Sequence, residues 1–138
     1  MNARHNFWIA IVTMLYRLFT TAAAGRATVK HTVMFSFKDG VSKGEINKIK
    51  NGLLDLPKKI PCIKSYELGC DLKLEAGQNH PAGKNKMIVW SACFDSVEDY
   101  QKYDKHEAHV AFLRQLKNVV LPGSRSAIQY EGKDFKQS

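Results

Sequence analysis

The sequence predicts an α+β domain in which four short strands form one antiparallel sheet and helices cover a single face of it. Three observations carry that expectation. Residues 29–37 alternate apolar and polar side chains with a period of two, two capped apolar stripes repeat at helical spacing, and the order runs strand, helix, strand, strand, helix, strand.

In the first strand, Val29, His31, Val33, Phe35 and Phe37 fall on one face and Lys30, Thr32, Met34 and Ser36 on the other. Asp39-Gly40 ends it. Ser42-Lys43-Gly44-Glu45 reads as a capping box, because the serine oxygen can take the Glu45 amide while the glutamate reaches back. Ile46, Ile49, Leu53 and Leu56 then form an apolar stripe, and Pro57 is expected to stop that helix. Pro61 opens a second strand near residues 63–69. Residues 71–86 carry Gly77, Pro81 and Gly83 without apolar periodicity and read as a long loop, in which His80 is expected to be exposed.

Residues 87–94 (MIVWSACF) are apolar at both parities, which implies a strand covered on both faces. The helices cover only one. A second copy of the sheet is the economical cover for the other, so a homodimer is expected, with Trp90 in its interface or in the core. Ser96 with Asp99 repeats the capping logic. A single helix follows through Tyr100, Tyr103, His106, Val110, Leu113 and Leu116, and Leu121-Pro122-Gly123 ends it. Residues 126–131 form the last strand, and residues 132–138 are expected to fray. This order is the split βαββαβ, ferredoxin-like arrangement.

The formal net charge is +8, but the first acidic residue is Asp39. Residues 29–138 carry 18 basic and 13 acidic side chains, about +5, with the two signs interleaved. Glu98, Asp99, Asp104 and Glu107 with Lys102 and Lys105 read as a solvated helix face. No basic stripe with interleaved aromatics is present, which argues against nucleic acid as a partner. Cys62, Cys70 and Cys93 give an odd count without Cys-x-x-Cys spacing, so neither a disulfide framework nor a zinc knuckle is expected, and Cys93 reads as a core thiol.

Residues 1–28 differ in kind. Residues 7–15 (FWIAIVTML) are apolar but fall short of the ~20 residues that cross a bilayer. Free of acidic residues, bearing Arg4, Arg17 and Arg26, and containing Ala22-Ala23-Ala24, the segment has the composition of a targeting leader or a disordered extension. A transit peptide would send the protein to an organelle and a signal peptide to the secretory route. Without processing it would be cytoplasmic. The domain itself is assigned to residues 29–138.

From about Val29 to Glu131 the chain resembles the stress-responsive dimeric α/β-barrel (Dabb) family. The resemblance rests on Val29-Lys30-His31, Phe37-Lys38-Asp39-Gly40 before a Ser-capped helix, and Leu56-Pro57…Ile60-Pro61. It continues with Phe94-Asp95-Ser96 and Tyr103-x-x-His106-x-x-His109-x-x-Phe112. It implies a ferredoxin-like subunit whose sheet pairs with that of a second subunit, and a pocket between sheet and helices for a small hydrophobic molecule. One branch is similar to plant polyketide cyclases of the olivetolic acid cyclase type, which close a linear polyketide by aldol condensation without a cofactor. Their catalytic tyrosine and second helix histidine fall on Tyr103 and His109, and their first-strand histidine on His31. Two positions depart from that pattern. Glu107 stands where the family commonly has proline, and Leu53 where the cyclases carry a pocket tyrosine.

The residues admit matching chemistry. Imidazole titrates near neutral pH, so His109 suits a general base, and a phenol at Tyr103 suits a donor to a developing enolate oxygen. His31, His106, Phe35 and Phe112 are the expected ligand-binding residues. No metal ligands and no cofactor are assigned, although His31, His106 and His109 as three nitrogen ligands are the alternative. The other reading of these side chains is purely structural, with buried imidazoles bonded to carbonyls and His106 anchoring the helix. On one unbroken helix Tyr103 and His109 lie about 120° apart, so a shared cavity requires a kink between them. The resemblance favours a stress-associated binder of a small apolar molecule. A cofactor-independent cyclase is the alternative, and a barrel-fold monooxygenase the third.

Overall fold

The computed structural model describes residues 28–76 and 86–133. All but the last residue of the expected leader or extension, residues 1–28, lies outside these, as do His80 and the end of the tail. Thr28–Gly132 is one compact unit. It runs β1 Thr28–Phe35, α1 Lys43–Lys59, β2 Ser65–Cys70, β3 Ile88–Phe94, α2 Val97–Lys105, α3 Glu107–Val119 and β4 Ser126–Gly132. The sheet order is β2-β3-β1-β4 and every neighbouring pair is antiparallel. This is the expected ferredoxin-like arrangement, with one more helix.

The period-two pattern decides which way each strand faces. Val29, His31, Val33 and Phe35 of β1 and Ile88, Trp90, Ala92 and Phe94 of β3 are buried. They form the core with Ile49, Leu53 and Leu56 of α1, Tyr103 of α2, and Phe112 and Leu116 of α3. Trp90 therefore belongs to the helix side and not to the open side where a second sheet could pair. Residues apolar at both parities could not reveal that parity. On the open face Lys30 stands between Cys93 and Tyr130, and Thr32 between Ser91 and Ile128. Cys93 is thus half-buried on the open face and is not a core thiol.

Both expected caps form. The Glu45 amide donates to the Ser42 hydroxyl oxygen at 3.2 Å and the Ser42 amide to the Glu45 carboxylate at 3.0 Å. The Asp99 amide donates to the Ser96 hydroxyl oxygen at 3.1 Å. Pro57 does not stop α1. It sits inside the last turn, and the chain leaves the helix only at Ile60, because a proline so near the C-terminus disturbs only the final turn. The end of β1 is fastened to the end of α3 through the Phe37–Val120 bridge. The Lys38 amide adds a bond to the Val119 carbonyl at 2.9 Å. No described helix is long and apolar enough to cross a membrane.

Candidate functional site

The single helix expected through residues 100–116 is two helices, broken at His106, whose backbone is extended (φ −63°, ψ 136°). Neither proline nor glycine marks the break. An exchange of hydrogen-bond partners makes it possible. In a continuous helix the Ala108 amide would bond the Asp104 carbonyl four residues back. Here the Ala108 amide donates instead to Nδ1 of His106 at 3.1 Å, so this imidazole caps α3 as a serine would. The freed carbonyl of Asp104 takes Nδ1 of His109 at 3.0 Å. His106 thus acts locally, as the anchor between the two helices, and Glu107 adds a carboxylate to the positive end of α3.

The break turns His109 inward onto Tyr103. Their ring centroids are 4.2 Å apart. Tyr103 and His109 are 2% and 5% exposed, and His31, reaching up from β1, is 3% exposed. The His31 ring lies 5.8 Å from that of Tyr103 and 5.4 Å from that of Tyr100. Trp90 stacks on Tyr103 at 6.0 Å, and its indole Nε1 is a buried polar atom without a hydrogen-bond partner. Tyr103, His109 and His31, expected together from sequence, are therefore together. Phe35 and Phe112 stand elsewhere. Phe35 packs edge-on against Phe37, and Phe112 lies against the bare backbone of Gly52 on α1.

Electrostatics assigns each group a state. A carbonyl can only accept, so Nδ1 of His109 carries a hydrogen, and in the neutral ring Nε2 is the free lone pair. The Asp104 carboxylate stands 4.0 Å from the same Nδ1. Burial raises the Tyr103 phenol well above its ordinary value, reinforced by Tyr100 and Asp104, so it remains a donor. Burial also lowers His31 from 6.5 to about 4, with Arg125 and His109 adding to the effect and Asp104 opposing it. His31 is neutral at ordinary pH.

Two features were not foreseen from sequence. Gln129 on β4 pairs directly across from His31, and its amide nitrogen meets His31 Nδ1 at 2.8 Å. A hollow of about 320 Å³ opens beside it, lined by Val29, Val97, Tyr100, Gln129, Tyr130 and others. None of His31, Tyr103, His106, His109, Phe35 and Phe112 is among its lining residues. Only the pairing register of β4 could have found Gln129, and a sequence does not print that register. Among the described residues no group of three or more His, Cys, Asp or Glu side chains is placed to hold a metal ion. His106, needed for the three-histidine alternative, spends Nδ1 on the α3 cap.

The stress responsive A/B barrel domain matches residues 29–131. The chain belongs to that family. It is 32% identical over 90 residues to the stress-response A/B barrel domain-containing protein HS1 of Arabidopsis thaliana, covering 63% of this chain and 75% of that one. It is 30% identical over 84 residues to olivetolic acid cyclase of Cannabis sativa, covering 61% and 78%. Among solved structures, a dimeric ferredoxin-like protein of unknown function from Thermobifida fusca superposes with a TM-score of 0.63 at 26% identity, covering 78% of this chain and 92% of that one. The chain is thus similar both to a dimeric ferredoxin-like protein and to a cyclase.

Proposed function

We propose that this chain binds a small, largely apolar carbonyl compound between the sheet and the broken helix pair, and moves a proton on it without a cofactor. The observation that carries the reading is the bond from His109 Nδ1 to the Asp104 carbonyl. It leaves Nε2 as a lone pair beside the phenol of Tyr103. A base next to a donor is what enolisation needs. Nε2 takes the proton from a carbon flanked by two carbonyls, and the Tyr103 hydroxyl bonds the enolate oxygen that forms. The imidazolium keeps its bond to the Asp104 carbonyl, with the Asp104 carboxylate nearby. The carbanion then attacks a second carbonyl carbon of the same molecule, and His109 returns its proton to the new alkoxide. Likeness to olivetolic acid cyclase supports ring closure of a poly-β-keto chain as the reaction.

The test is turnover of a linear poly-β-keto thioester, followed as ring-closed product by chromatography. His109→Ala should fall by roughly 10²–10⁴ and Tyr103→Phe by roughly 10²–10³. Wild-type turnover in His109→Ala ends the enzymatic reading. Binding without turnover is the second reading, favoured by a hollow that reaches Tyr100 and Gln129 rather than His109. Native mass spectrometry of wild type that retains an apolar molecule yet cyclises nothing would select it.

We further propose that the subunit pairs through the open face of its sheet. Met34, Ile128 and Tyr130 are 41%, 58% and 43% exposed on that side. The dimeric relative from Thermobifida fusca supports this.

A further inference from the structure

The side-chain bond between Gln129 and His31 divides the labour between the two buried imidazoles. We infer that Gln129 is a positioning residue that fixes His31 as a hydrogen-bond donor to the ligand's oxygen, leaving His109 as the base. This rests on the proton-transfer reading above. An amide N–H donates, so His31 Nδ1 accepts at 2.8 Å and the hydrogen of the neutral ring resides on Nε2. His109 has the opposite tautomer, with Nδ1–H spent on a carbonyl and Nε2 bare. The His31 and His109 rings lie 5.8 and 4.2 Å from the Tyr103 ring. The phenol therefore has one neighbouring ring with a free acceptor and one with a free donor.

Gln129 also supplies a charge argument. A carboxylate at its position would stabilise an imidazolium, whereas an amide leaves a buried imidazolium uncompensated. The groups around His31 point the same way. Arg125, just before β4, and His109 on α3 disfavour a positive ring, and only Asp104 on α2 favours one. Tyr100 and Tyr103 of α2 and Trp90 of β3 contribute uncharged rings. Gln129, exposed on β4, and Tyr100 also line the hollow. Held neutral with Nε2–H, the His31 ring suits a carbonyl or enol oxygen better than a cation.

The experiment is nitrogen-15 NMR of the imidazoles in the full chain as a function of pH, for wild type, Gln129→Glu and Gln129→Leu. In wild type His31 should show the Nε2–H tautomer and stay neutral down to about pH 4. Gln129→Glu should move the hydrogen to Nδ1 and raise the His31 pKa by about 1–3 units. Gln129→Leu should lose the tautomer preference while keeping the ring neutral. A wild-type ring with Nδ1–H, or an unshifted His31 in Gln129→Glu, overturns the inference. Should Gln129→Glu fail to fold, the wild-type tautomer alone decides. For turnover of the poly-β-keto thioester, the Gln129→Glu profile should gain a new limb at the raised His31 pKa. Turnover that ignores the His31 titration overturns the donor role. The NMR result stands apart from turnover, so a wild type that cyclises nothing removes the enzymatic reading without touching the tautomer.

Discussion

On the helix side of the sheet, His31, Trp90, Ala92 and Phe94 of β1 and β3 are withdrawn from water, while on the open side Met34 of β1 and Ile128 and Tyr130 of β4 remain exposed. The polar atoms differ as well. On the helix side the imidazoles of His31 and His109 are bonded to Gln129 and to the Asp104 carbonyl. On the open side the Thr32 and Ser91 hydroxyls bond one another at 2.9 Å amid apolar neighbours. One chain completes the first face. The second face, mixed and half-covered, has the composition of a surface whose packing is finished by another molecule. Along β1 and β3 the pleat thus separates the proposed chemistry from the proposed pairing face, one residue apart.

The sharpest way to break this division is to put the same charge on each side. Trp90→Glu places a carboxylate where the side chain is fully enclosed, and should cost at least ~4 kcal/mol, a large part of a domain's stability. Ile128→Glu places it on the open face, and should change subunit folding by no more than about 0.5 kcal/mol while converting dimer to monomer. Urea unfolding and light scattering read the two effects separately. A folded Trp90→Glu, or an Ile128→Glu that stays dimeric, would erase the distinction.

Legibility followed the range of the forces involved. Residues 29–37 and the capping pairs Ser42/Glu45 and Ser96/Asp99 act within a few residues, so strands, helices and their order were plain in the sequence. The gathering of Tyr103, His109 and His31 followed from that order together with the family resemblance. That a shared cavity calls for a kink between Tyr103 and His109 was legible, but its place at His106 was not, because it depends on an imidazole reaching an amide and on a carbonyl finding another imidazole. No breaker residue announces that exchange. Gln129 was hidden because its role depends on the β1–β4 register, and the side taken by Trp90 because its strand is apolar at both parities.

The helix side should also show itself in acid. His31 titrates near 6.5 when unfolded and near 4 in the fold. Below about pH 6.5 the unfolded chain takes up a proton that the fold refuses. Its contribution is therefore complete above pH 6.5 and is lost as pH falls toward 4, on the order of 3 kcal/mol in all. Urea midpoints between pH 6.5 and 5 isolate it from Glu45, Asp55 and Asp99, whose lowered carboxyl values act at lower pH. His31→Leu should flatten the slope in that window. An unchanged slope would place the titration elsewhere.

How tightly the helix side is filled can be measured at Gly52, in the middle of α1. A methyl group there would lie 2.9 Å from two ring carbons of Phe112, so the missing side chain is what lets α3 approach. Alanine would gain about 1 kcal/mol of helix propensity and lose about 1–3 kcal/mol to overpacking. The expected net is a loss of about 0–2 kcal/mol. Phe112→Leu should relieve the clash, so the double variant should be more stable than the sum of the two single losses. If Gly52→Ala instead stabilises the protein, the Phe112 ring has room to move. The space it moves into would then belong to the ligand, and Phe112 would join the binding residues that the motif suggested.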